Sequence, residues 1–177
     1  MKVLVPLADG FEEIEAITIV DVLRRAGLDV VMAGLPGTMV RGSRNVKIIA
    51  DAKMDDVNPD EFDALVLPGG DPGYKNLGQS QKILNMIRDF HSQGKLVCAI
   101  CASPLVLAKA GILEDKKATV YPGLERDIPK PRGDRVVVDG NIITSQGPGT
   151  AIEFALKIVE SLLGKDRAEM VRKQIVF

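Results

Sequence analysis

Short apolar runs rich in Val, Ile and Leu alternate along this chain with longer stretches whose apolar residues recur at helical spacing. This alternation is the strongest constraint on the fold, because strands joined through helices pair in parallel and a parallel sheet must be covered on both faces. Lys2 to Ala8 reads as the first strand. Past the Asp9-Gly10 turn, Ile14, Ile17, Val20 and Leu23 repeat at helical spacing up to Gly27, a C-terminal stop. Leu28 to Ala33 is the second strand. Pro36-Gly37 and Gly42 break Leu35 to Ser43 into a turn with a short excursion, and Asn45 to Ala50 extends again as a local antiparallel pair. Asp51 to Glu61 reads as a polar connector, and Asp63 to Leu67 as a buried strand ending in Pro68-Gly69-Gly70.

In the second half, Ile83, Leu84, Ile87 and Phe90 mark a helix with Ser80 as N-cap and Gly94 as its stop. Lys95 to Ile100 is the next strand, and Ala102 to Ala110 is helical, with Pro104 in its first turn and Gly111 closing it. Ala118 to Tyr121 is extended, and Val136 to Thr144 folds over Asp139-Gly140-Asn141 as a hairpin. A helix with Ala151, Phe154, Ala155, Ile158, Val159 and Leu162 on one stripe starts at Thr150, where Thr150 and Glu153 have capping-box spacing. Lys165 to Gln174 is a polar terminal helix. The whole is an α/β fold, with a mostly parallel sheet, helices on both faces and a small hairpin excursion. At 177 residues, without a linker or repeat, residues 1–177 form a single domain.

Composition narrows function by exclusion. Lys and Arg total 23 against 24 Asp and Glu, with no block of one sign, and aromatics are 4% of the chain. Neither a phosphate-binding surface nor base-stacking platforms are indicated, so nucleic acid is not an expected partner. The nearly apolar stretch Leu96 to Ala108 holds Ser103 and Pro104 and is shorter than the ~18 residues of a membrane span. Two cysteines do not make a disulfide framework, and acidic residues follow the first strand where a signal peptide needs small neutral ones. A cytoplasmic protein is expected.

In open α/β sheets ligands gather at the carboxyl ends of strands. Three such ends stand out: Asp9 to Glu15, Pro68 to Gly73, and Cys101 to Pro104. Cys101 falls where a strand turns into a helix, so its sulfur is expected over helix-terminal amides that lower its pKa and make it nucleophilic and oxidisable. The competing reading is a small core hydrophobe. Cys98 lies inside the strand and reads as a buried inert thiol. The Cys98-x-x-Cys101 spacing is that of a thioredoxin-type pair, but that pair needs both cysteines at a helix start. Leu67-Pro68-Gly69-Gly70 offers unobstructed amides. Helix capping accounts for Glu12 and Glu13, and pattern alone also favours a surface position for Glu15. The lone His91 sits near a helix end, so no Cys-His pair is evident, and no zinc cage can be assembled.

Together, Gly10-Phe-Glu-Glu-Ile-Glu15, Asp21-Val-Leu-Arg-Arg-Ala-Gly27, Leu67-Pro-Gly-Gly70, Ala99-Ile-Cys-Ala-Ser-Pro104 and Thr144-Ser-Gln-Gly-Pro-Gly-Thr150 form a specific set. Over nearly its whole length the chain resembles the ThiJ/PfpI superfamily, specifically the parkinsonism-associated deglycase branch with its bacterial YajL-type relatives. The resemblance implies a flavodoxin-like three-layer sandwich, a homodimer, and no metal or organic cofactor. It implies that Cys101 is an oxidation-prone nucleophile and that Glu15 is a protonated acid hydrogen-bonded to it, which replaces the surface reading of Glu15. By the same resemblance Gly70 and Ala102 present backbone amides to the reacting oxygen, and Arg25 and Arg44 lie near a dimer-side anion pocket. Tyr121 stands where many relatives have a histidine, and a phenol is a poor base at neutral pH. Ala102 stands where the intracellular-protease branch has histidine, and Ser103 replaces a common glycine. Three functions follow. One is a glyoxalase or deglycase acting on methylglyoxal or early glycation adducts. The others are a redox sensor or chaperone whose output is Cys101 oxidation, and, least favoured, a cysteine hydrolase.

Overall fold

Alternate residues of the first strand, β1 (Lys2–Ala8), feed two separate cores, as a period of two requires. Val3, Val5 and Leu7 pack into one cluster and Leu4 and Ala8 into the other. Both faces of the strand are buried, which accounts for its unbroken apolar run.

The computed structural model describes residues 1–177. After β1 come α1 (Glu13–Arg25), β2 (Asp29–Leu35), the antiparallel excursion β3 (Met39–Arg41) and β4 (Lys47–Ile49), and β5 (Ala52–Lys53). β6 (Ala64–Leu67), α2 (Gly73–Gln79), α3 (Gln81–Ser92), β7 (Leu96–Ile100) and α4 (Pro104–Ala110) follow. β8 (Lys117–Ala118) pairs in parallel with β9 (Lys130–Pro131), and β10 (Val136–Asp139) forms an antiparallel hairpin with β11 (Ile142–Ser145). The chain closes with α5 (Ala151–Leu163) and α6 (Lys165–Gln174).

The main sheet has seven strands in the order β10-β11-β7-β6-β1-β2-β5, all parallel except the edge strand β10. Helices α1, α5 and α6 cover one face; α3 and α4 supply Ile83, Ile87, Phe90, Val106 and Leu107 to the other. The chain runs outward from β1 to β2 and β5, then returns to β6 on the other side of β1. The carboxyl ends of β1 and β6 therefore diverge at a topological switch point, where a crevice opens.

Three sequence expectations need correction, and one helix has no sequence expectation at all. In α1 the buried residues are Glu15, Ala16, Ile19, Val20, Val22 and Leu23, while Ile14 and Ile17 are 57% and 44% exposed. The helix is thus rotated relative to the face expected from its isoleucines, and Glu15 is turned inward. The connector after Asp51 contains the edge strand β5, and the segment after Gly70 contains α2, whose glycines and single buried leucine, Leu77, obscure a helical period. Finally, Thr150 and Glu153 form no capping box. Thr150 Oγ1 bonds Ser145 Oγ at 2.6 Å and accepts the Gly147 N–H at 3.1 Å, while Glu153 pairs with Arg135.

Candidate active site

The three strand ends singled out in the sequence meet at the switch point. Cys101 follows β7 directly and adopts φ 66°, a left-handed conformation that costs a non-glycine residue roughly 1–3 kcal/mol. Two backbone bonds impose it: the Cys101 N–H donates to Ser145 O at 3.0 Å, and the Tyr121 N–H donates to Cys101 O at 2.8 Å. The strained turn lifts the thiol off the strand, and the residue is half-buried. Cys98, facing the α1 and α5 side, is wholly buried, and burial pushes its thiol well above the usual range.

Glu15 comes from the first turn of α1 and is 0% exposed. Its Oε2 accepts the Gly69 N–H at 2.7 Å, its Oε1 has no hydrogen-bond partner of good geometry, and the Cys101 thiol lies within reach of the carboxyl. A methyl group on Gly69 would stand 2.5 Å from Cys101 Cβ and 2.8 Å from Glu15 Oε2, so only hydrogen fits between the two side chains. Gly70, at φ 98°, turns the chain so that its amide, with that of Ala102, serves the sulfur.

Burial pushes the Glu15 carboxyl up to about 7, although the Gly69 amide and the Cys101 thiol pull it down. Burial, and then the Glu15 carboxylate, push the Cys101 thiol up to about 12 against the amides of Gly70 and Ala102. The expectation of a thiol lowered by a helix terminus is therefore corrected: desolvation and a facing carboxylate outweigh a few amides. Two facing negative charges are unfavourable here, so the thiol and the carboxyl are not ionised together.

Above the sulfur opens a cavity of about 390 Å³ lined by Gly70, Cys101, Ala102, Arg44 and Tyr121, and also by Glu12, Ser43, Asp71, Tyr74, Leu124 and Pro148. Glu12 is the N-cap of α1, accepting the Ile14 N–H at 3.2 Å. Glu13 does other work: it accepts the backbone N–H groups of Arg44 at 2.7 Å and Val46 at 3.3 Å, holding the excursion loop against α1. No group of His, Cys, Asp and Glu side chains forms a metal cluster.

The sequence profile of the DJ-1/PfpI family matches residues 1–161. The chain belongs to the DJ-1/PfpI family. It is 47% identical over 178 residues to the Drosophila melanogaster protein dj-1beta, covering 98% of this chain and 95% of that protein. A Caenorhabditis elegans protein named glutathione-independent glyoxalase DJR-1.2 is 38% identical over 176 residues, covering 98% of this chain and 94% of that one. The structure of Toxoplasma gondii DJ-1, described as oxidized, superimposes with a TM-score of 0.96 at 42% identity over 99% of this chain and 98% of that one. The flavodoxin-like sandwich is the DJ-1 fold.

Among the residues expected at the site of this DJ-1/PfpI chain, Cys101, Glu15, Gly70, Ala102, Arg44 and Tyr121 are brought together. Arg25 is not: it pairs with Asp21 at 2.6 Å and lines a separate depression with Gln174 and Ile175. It is exposed at the end of α1, one residue beyond Arg24, which is paired with Asp51. His91 lies on α3 and does not line the cavity. Sequence reasoning missed Tyr74 because it missed α2. It also missed the role of Gly69, for which the only signal was the diglycine itself.

Proposed function

We propose that the protein is a cofactor-independent glyoxalase or deglycase for small α-oxoaldehydes, with Cys101 as nucleophile and Glu15 as acid and base. The observation that carries this reading is the buried Glu15 carboxyl, held through one oxygen by the Gly69 amide, with its other oxygen unpaired and the Cys101 thiol within reach at the floor of an open cavity. Proton transfer from sulfur to Glu15 leaves a thiolate that adds to the aldehyde carbon of methylglyoxal, giving a hemithioacetal. Glu15 gives that proton to the new oxyanion and, ionised again, removes the hydrogen from the same carbon as a proton and returns it to the neighbouring one, while the hydroxyl proton passes to the former ketone oxygen, so the aldehyde is oxidised to a thioester as the ketone is reduced. Water then hydrolyses the resulting thioester, releasing lactate and restoring the thiol. The substrate is its own oxidant, and no external electron carrier is needed. The amides of Gly70 and Ala102 are placed to bind the developing oxyanion. The glyoxalase name of the nematode relative supports the assignment. Cys101→Ser should abolish methylglyoxal consumption, measured as lactate formed; turnover by that variant would overturn it.

A second reading, a sensor whose output is Cys101 oxidation, draws on the same two amides, which suit sulfinate oxygens, and on the oxidized state of the Toxoplasma relative. Wild-type protein that does not consume methylglyoxal but gains two oxygens at Cys101 under dilute peroxide would favour it. A homodimer fits the exposed Ile14 and Ile17 of α1, which a second copy would cover. Light scattering at micromolar concentration should give twice the chain mass, and a monomer would refute it.

A further inference from the structure

Ser103 is fully buried two residues past the nucleophile, at the position preceding Pro104 of α4. A serine there ordinarily caps the helix, accepting an N–H from its first turn. This one does not: it has helical backbone angles, φ −69° and ψ −20°, and makes no capping bond. Its hydroxyl instead donates to the Pro68 carbonyl, at the end of the neighbouring strand β6, at 2.5 Å. No backbone N–H reaches that carbonyl.

We propose that Ser103 is a positioning residue for the Cys101 and Glu15 pair, tying the turn that carries the nucleophile to the loop that carries the amides serving both groups. The loop in question is Pro68-Gly69-Gly70. Immediately after the tethered carbonyl, the Gly69 N–H donates to Glu15 at 2.7 Å and the Gly69 carbonyl accepts the Glu12 N–H at 2.9 Å; the next amide, Gly70, faces the sulfur. Two glycines in succession have no side chains with which to pack, so hydrogen bonds must hold this loop in place. Besides the Gly70 amide aimed at the sulfur itself, the Ser103 hydroxyl is the bond that links this loop to the nucleophile turn. Removing the hydroxyl leaves a buried carbonyl unpaired, and the loop relieves that loss by moving towards water, taking both amides with it.

The inference rests on Cys101 being the working thiol, and it is tested on thiol chemistry rather than turnover, so an inactive wild type would count against the proposed function alone. The groups facing the sulfur are Glu15 and Glu12 from α1, Arg44 from the excursion, Asp71 and Tyr74 around the start of α2, and Tyr121 past β8. All remain in the variants. Alkylation of Cys101 by iodoacetamide is followed from pH 5 to 10 in full-length wild type, Ser103→Ala and Ser103→Thr, alongside thermal unfolding. Ser103→Ala should be alkylated about tenfold more slowly at pH 7, with its profile displaced to higher pH and its Tm within a few degrees of wild type. Ser103→Thr, which keeps the hydroxyl, should recover the wild-type profile. Coincident profiles for Ser103→Ala and wild type would overturn the proposal. So would a Ser103→Ala chain that does not fold, because the hydroxyl would then serve stability and not placement.

Discussion

Strand β7 and the turn after it carry two thiols three residues apart, and burial acts on both. Burial pushes both upward, Cys98 well beyond the usual range and Cys101 to about 12. Cys98 sits in the sheet in register with Val66 of β6 and Ile143 of β11, with no side chain to exchange a proton and no opening to solvent. Cys101, past the end of the strand, faces a carboxyl that can hold its proton, two amides that can hold its charge and a cavity that can admit an electrophile. The difference teaches that two thiols raised alike by burial can still differ in whether the proton has a nearby place to go.

The sharpest way to break this contrast is to remove that place. Glu15→Gln preserves size and a hydrogen-bond donor but cannot cycle a proton, so methylglyoxal turnover should fall about 10²–10⁴-fold while the fold is retained. A normal rate, paired with an inactive Tyr121→Phe, would transfer the acid–base role to Tyr121. Next in size is selective labelling. With limiting iodoacetamide at neutral pH, Cys101 should react on the order of 100-fold faster than Cys98, because Cys98 becomes accessible only when the sheet opens. Mass mapping that finds equal labelling would erase the distinction between strand interior and strand end.

A thermodynamic counterpart lies in the Glu15 carboxyl. Its folded-state pKa of about 7 exceeds its ordinary 4.5, so the folded protein binds this proton more tightly than the unfolded chain. Its stabilising contribution is complete below about pH 4.5 and is lost as pH rises through 7, to the extent of roughly 3 kcal/mol. Urea unfolding at pH 5 and pH 8 should show that decline in wild type and a flatter response in Glu15→Gln; parallel responses would refute it. The smallest effect is expected at the cavity rim. Tyr121 is 48% exposed and lies against Gly147, so Tyr121→Phe should change turnover by less than about twofold. A larger loss would give the phenol a part in proton transfer.

The parts of the molecule legible in the sequence are those where one physical signal dominates. The apolar runs of β1, β6 and β7 mark strands buried on both faces, and Ser80 and Gly94 bracket α3, with Ser80 Oγ accepting the Ile83 N–H at 3.4 Å. Cys101 was legible as a strand-end residue. Glu15 was legible only through the family resemblance, because a hydrophobicity pattern assigns a carboxylate to solvent and two isoleucines to the core. Here the isoleucines point outward and the carboxyl is buried. Thr150 shows the same limit: its hydroxyl has a tertiary partner in Ser145, which no local spacing rule anticipates. The thiol pKa was misjudged for a related reason, since helix-end amides are visible in a sequence and the depth of burial is not.

The excursion loop returns here with a different significance. Ser43 and Arg44 reach the cavity from outside the seven-stranded sheet, held to the rest of the chain by Glu13, by Asp9 and by backbone bonds to Gly10 and Phe11. Tyr121 and Leu124 reach it from another segment that adds no strand to that sheet. The side chains of the mouth are therefore exchangeable in a way Cys101 and Glu15 are not, but the backbone behind them is not, because the Tyr121 N–H holds the Cys101 carbonyl. An engineer reshaping the cavity can therefore work through the side chains of the rim and leave Cys101 and Glu15 where they are.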